Sequence, residues 1–287
     1  MLHRNTPTWP ALLAVAATMV QEIGAAFAVG LFDALGVAGT VFARFGVAAA
    51  VLCVVFRPRL RGLDGRAFAA IAALAVTLTA MNLCFYGALS RIPLGVAVTV
   101  EITGPLLLSV MLNRSWSGWL WAVVAFAGVA LLGLGGGPLP ASDIVGFALA
   151  GAAAASWMGY ILASAHASKV FANLDALALA TVLGAVLTAP AAALSINVHS
   201  AARWEVAGLA IVVGLMCSVI PYSLELISLR TLPASTFAIL TSLSPAIAAV
   251  TGWFVLDQRL SPAGYLAMAL VVIASAGAVR STRIITP

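Results

Sequence analysis

Glu22, Arg44 and Glu101 are ionisable side chains set inside long apolar runs: MVQEIGAAF, VFARFGVAAA and AVTVEITGPLL. A charge held in hydrocarbon costs at least about 2.5–3.5 kcal/mol, so such residues normally face a cavity and serve an ion or substrate path. Two carboxylates and one guanidinium can do two kinds of chemistry. Arg44 neutralises one acid, and the other acid is left to exchange a proton. Alternatively, that acid receives a substrate ammonium while Arg44 holds a substrate carboxylate, and a zwitterionic amino acid presents both groups.

The elements that position these groups are membrane spans. Of the 287 residues, 63% are hydrophobic and 8% are charged, against about 25% charged in a soluble domain. A bilayer core needs about 20 apolar residues per helix. Ten runs of that kind follow one another, at about 9–31, 36–56, 67–89, 94–112, 117–135, 144–164, 175–195, 206–229, 234–256 and 262–280. With the N-terminus cytoplasmic, the inner segments hold Arg4, Arg57, Arg59, Arg61, Arg66, Arg114, Lys169, Arg230, Arg280 and Arg283, and the outer loops hold Arg91, Arg203 and Arg259. That bias places both termini in the cytoplasm.

The two halves echo each other. SRIPLGVAVTVEITGPLL (90–107) aligns with LRTLPASTFAILTSLSPAI (229–247), and NRSWSGWLWAVVAFAGVALLG (113–133) resembles DQRLSPAGYLAMALVVIASAG (257–277). Pro93 matches Pro233 and Pro105 matches Pro245, both at an offset of 140. Five spans per half is an odd number, so the second copy lies upside down. The expected architecture is an all-α integral membrane protein of ten transmembrane helices in two inverted five-helix repeats, residues 1–140 and 141–287. Inverted repeats with interrupted helices are the build of secondary transporters, with the site at the repeat interface. Pro105 and Pro245 are the helix breaks: each removes a backbone donor mid-span, which is tolerated where the backbone lines a cavity.

Counting helix rise from the outer ends puts Glu22 roughly 13 Å deep, Arg44 roughly 12 Å, and Asn82 and Glu101 roughly 10 Å. Four polar groups from four spans therefore share one layer. Each has a plainer role open to it. Arg44 and Glu101 can be structural ties, Glu22 can bond a neighbouring helix, and Asn82 can be interhelical glue. Glu225 can be an interfacial acid, and Tyr86 and Tyr222 either line the cavity or anchor an interface.

Other chemistries find no residues. No histidine lies in a span, no HExxH or GxSxG arrangement occurs, and Cys53, Cys84 and Cys217 read as small core residues. An enzyme, a metal site and a cofactor are not expected. The basic residues form no patch for nucleic acid. Only Arg44 is a cation within a span, which argues against phosphate-bearing substrates. Trp157 keeps a cationic-drug site open.

AMNLCFYGALSRIPLGVAVTVEITGP (80–105), IPYSLELISLRTLP (220–233), VFARFGVAAAVL (41–52) and VLDQRLSPAGYLAMAL (255–270) resemble the threonine/homoserine exporter branch of the EamA family, within the drug/metabolite transporter superfamily. The resemblance covers essentially the whole chain. It implies an inner-membrane carrier exporting small amino acids or related metabolites by proton antiport, with cationic drugs or other small metabolites as the alternative cargo. Its partners would be a small zwitterion, protons and the lipid bilayer, and a monomer is expected rather than a dimer. Arg44, Asn82, Tyr86, Glu101, Tyr222 and Glu225 match the branch in residue type and are the implied substrate-binding residues. Glu101 and Glu22 are the two candidates for the proton-coupling acid, and the resemblance supports Glu101 and not Glu22. Three positions depart from the pattern. Relatives often carry a small residue at position 22, an acid at the position of Ser244, and a Glu at that of Asp257. If the acid before the proline couples protons in relatives, either Glu22 takes over that task here or coupling differs.

Overall fold

Long unbroken apolar runs fold here into long helices, and runs carrying proline or glycine bend or break. The computed structural model describes residues 8–58, 64–113, 116–134, 143–171, 174–197, 201–229, 240–241 and 243–282, and among these no strand occurs. The helices are α1 (Thr8–Val29), α2 (Phe32–Phe56), α3 (Gly65–Leu89), α4 (Leu94–Glu101), α5 (Thr103–Asn113), α6 (Trp116–Leu134), α7 (Ile144–Val170), α8 (Asp175–Ser195), α9 (Trp204–Gly214), α10 (Ile220–Leu229), α11 (Ser244–Leu256) and α12 (Pro262–Thr282), with a π turn, Leu215–Val219, joining α9 to α10. Five of them, α1, α2, α3, α7 and α8, are long and apolar enough to cross a membrane. Exposed Phe68, Val76, Val123, Phe126, Val186 and Phe254 lie along helix flanks, and Trp9, Trp116 and Trp204 stand exposed in first turns, where indole rings anchor at membrane interfaces.

The remaining apolar runs are interrupted. The expected span 94–112 becomes two helices parted by a turn at Ile102. Pro105 cannot donate to the carbonyl four residues back, which is that of Glu101, so α4 ends on the acid. Pro245 stands in the first turn of α11. Much of the expected span 234–256 before Leu240 lies outside the described residues. The span expected at 36–56 is preceded by a further turn of helix from Phe32, joined to it across a kink at Gly36, which takes φ 66°. A Cβ there would also meet the Ser195 Cβ at 2.8 Å. Beside this kink Asn197 N donates to the Ala34 carbonyl at 3.0 Å and Ser195 Oγ to that of Leu35 at 3.0 Å.

Packing follows the small residues. α3 lies on α7, α2 on α8, and α6 on α12; α1 meets α10 and α11, and α4 sits between α11 and α7. The closest approach is at Gly104, where a Cβ would fall 2.1 Å from the Ala154 carbonyl oxygen. Substituting Gly104→Ala should therefore collapse the yield of folded protein in membranes. Gly151→Ala, a site with nothing within 4 Å, should leave stability unchanged or raise it by about 0.5–1 kcal/mol. Fluorescence-detected gel filtration after heating compares the two; equal behaviour would contradict the close contact.

Candidate functional site

The sequence-predicted polar layer closes around one cavity. Glu22, Arg44, Asn82, Tyr86 and Glu101 line it from α1, α2, α3 and α4, and Trp157, Tyr160 and Cys217 line it from the second half of the chain. Its volume is about 80 Å³. At about 10–15 Å³ per water-sized unit, that is room for roughly half a dozen such units, a molecule of a few heavy atoms. Tyr222 and Glu225 fall on α10, but their side chains lie outside the described residues.

Arg44 is the centre of the site. Its Nε donates to Ser218 Oγ at 2.9 Å, its Nη1 to Asn82 Oδ1 and, at 3.4 Å, to Tyr86 Oη, and its Nη2 to the Cys217 carbonyl. Its Cζ stands 5.7 Å from the Tyr86 ring centroid, within cation–π range. Asn82 is oriented for this task, because its Nδ2 donates back to the Leu78 carbonyl at 2.8 Å, leaving Oδ1 to face the cation. Asn82 thus acts as interhelical glue. Tyr86 is fully buried between Phe32 and Phe85.

One expectation is corrected. A direct Arg44–carboxylate pair is not formed with Glu22 or Glu101; the ion pairs between described residues are Arg91–Asp143 at 3.4 Å and Arg203–Glu205 at 3.6 Å. The guanidinium donates instead to neutral acceptors on α3 and the π turn. Glu101 lies at the broken end of α4, lines the cavity, and takes no hydrogen bond from a described residue. Glu22 accepts from Ser244 Oγ at 2.6 Å. Ser244 opens α11, so the carboxylate sits at the positive end of that helix and links the two halves of the chain.

Cys217, Ser218 and Tyr160 were not among the expected site residues. Cys217 contributes through its backbone, because a π turn shifts the i→i−4 ladder and turns carbonyls outward. Its thiol also faces the Gln21 carbonyl at 3.8 Å. Gly24 makes room for the turn, since a Cβ there would come within 2.6 Å of Cys217 Sγ.

Comparison with known proteins gives this arrangement a context. The chain is 32% identical over 282 residues to the threonine/homoserine exporter RhtA of Escherichia coli (strain K12), covering 98% of this chain and 95% of that one. It is 31% identical, with the same coverage, to the threonine/homoserine exporter RhtA of Salmonella typhimurium (strain LT2). Residues 144–280 match the EamA-like transporter family. The chain belongs to that family. A crystal structure with a TM-score of 0.64 and 18% identity, covering 98% of this chain and 99% of its own, shares the fold. As an EamA-like protein the chain is a multi-pass membrane transporter and not an enzyme.

Removing one neutral partner of a buried cation costs about 1.5–3 kcal/mol. Asn82→Leu and Ser218→Ala should each lower thermal stability in detergent by that order. Ser223→Ala, whose hydroxyl only bonds back to the Val219 carbonyl, should stay within about 0.5 kcal/mol. Three indistinguishable melting curves would show that Arg44 is not held this way.

Proposed function

We propose that the protein is an inner-membrane secondary exporter of small amino acids, threonine- or homoserine-like, driven by proton antiport. The observation that carries this reading is the shared cavity. Two acids and a guanidinium from the first half meet second-half helices there, in a chain 32% identical to exporters of those amino acids. The small cavity volume suits a compact substrate better than a drug-sized one. Trp157 and Tyr160 in its wall keep a cationic-drug cargo as the second reading.

The architecture behind this reading is ten spans in two inverted repeats, 1–140 and 141–287, with both termini cytoplasmic. The packing supports it. When helices are matched five by five, α3 on α7 is answered by the α9–α10 segment on α1, and α3 on α8 by that segment on α2. Three pairings, α2–α8, α4–α11 and α6–α12, link an element to its own counterpart. In this orientation the outer end is tied across elements by Leu94 N on Gln258 Oε1 at 2.9 Å, by Arg91–Asp143, and by Asn197 on Ala34.

In this scheme Glu101 exchanges the proton and Glu22 holds the halves together through Ser244, with Tyr222 and Glu225 completing the substrate path on α10. Each elementary charge moved is worth about 2.3 kcal/mol per 100 mV, so one proton per substrate sustains a steep gradient. Inside-out vesicles should accumulate threonine only under a pH gradient, and Glu101→Gln should abolish that gradient-driven accumulation. Gradient-independent accumulation in the unmodified protein would remove the antiport mechanism. Accumulation of cationic dyes but not of threonine would favour the second reading.

A further inference from the structure

We propose that the cavity recognises its substrate through the ammonium group alone, so that carboxyl-blocked amino acids (amides, esters and amino alcohols) bind as well as free ones. The proposal rests on the reading of the protein as a carrier of small amino acids, and it names which end of the substrate is read.

A guanidinium grips a carboxylate with two parallel N–H groups on one edge. Arg44 has two such edges. Its side edge is spent, with Nε on Ser218 Oγ and Nη2 on the Cys217 carbonyl. Its end edge is met at Nη1 by Asn82 Oδ1 and Tyr86 Oη. The Tyr86 ring lies alongside, its centroid 5.7 Å from Arg44 Cζ. A substrate carboxylate arriving here meets no open fork. Among the described residues no second cation lines the cavity; the polar groups there besides Arg44 and its partners include Gln21, the Tyr160 hydroxyl and the Trp157 indole, all neutral, and the two acids.

The opposite end of the substrate has a ready partner. Glu101 lines the cavity without a hydrogen bond from any described residue. Trp157 and Tyr160, aromatic rings in the same wall, suit an alkylammonium. Arg44 is then a positioning residue: it fixes α2, α3 and the π turn and balances one of the two acids, while the remaining negative charge selects an amine. A substrate carboxylate is accommodated among neutral groups and adds little to affinity.

Equilibrium binding to the purified full-length protein in detergent tests this with threonine, threonine amide and N-acetylthreonine. The amide, which keeps the ammonium, should bind within about threefold of threonine, and N-acetylthreonine, which loses it, should bind about ten- to a hundredfold more weakly. Glu101→Gln, checked for a monodisperse gel-filtration profile, should weaken the amide by a similar factor. N-acetylthreonine binding as tightly as the amide, or the amide more than about tenfold weaker than threonine, overturns the proposal. If threonine itself is no ligand, the exporter reading fails separately. Propylamine and propionate then pose the same question, with preference for propionate, or binding of neither, as the overturning result.

Discussion

A guanidinium buried away from water must have its N–H groups met, because an uncompensated buried charge costs several kcal/mol. Arg44 answers this demand with groups drawn from two other elements: α3 supplies Asn82 and Tyr86, and the π turn supplies Cys217 and Ser218. Much of the local architecture follows from it. The π turn aims a carbonyl at the cation, Gly24 lets α1 close over that turn, and Gly214 lets the same segment approach Val47 on α2, where a Cβ would stand 2.5 Å from the Val47 Cβ. The cavity beside Arg44 is the space left by helices gathered around a charge.

The polar chemistry is divided unequally between the halves. Among the described residues lining the cavity, the first half provides both acids and the cation. The second half provides Ser244, the π turn and the aromatic wall. The proline breaks are nonetheless alike: Pro105 withdraws a donor from the carbonyl of Glu101, and Pro245 does the same to that of Thr241. Similar backbone devices thus carry an acid in one half and a hydroxyl in the other.

Much of this was legible in the sequence, for identifiable reasons. α8 spans Asp175–Ser195, as its apolar run predicts, because nothing in that run except the tolerated Pro190 competes with helix. The depth count brought Glu22, Arg44, Asn82 and Glu101 into one layer because helix rise is nearly constant. Hydrogen-bond partners were less legible. Nothing in LMCSV announces a π turn, so Cys217 read as a core residue and Ser218 went unnoticed. The pairing of Arg44 with Glu22 or Glu101 seemed required by charge, yet its bonding partners on α3 and the π turn are neutral, since a buried cation needs lone pairs as well as a counter-charge. Ser244 was singled out as a departure from the family pattern, but only three dimensions show that Glu22 is the residue opposite it.

Gln258 caps the first turn of α4 from a position 164 residues further along the chain. The left-handed turn at Asp257, φ 50°, carries the chain around so that it can do so. α4 has no side-chain cap of its own. The donor that opens α4 is thus met from the other half of the chain, so the two halves share this helix end between them. At about 0.5–1.5 kcal/mol, such a bond is too weak to hold the halves together, but it favours one register of α4 against the turn before α12.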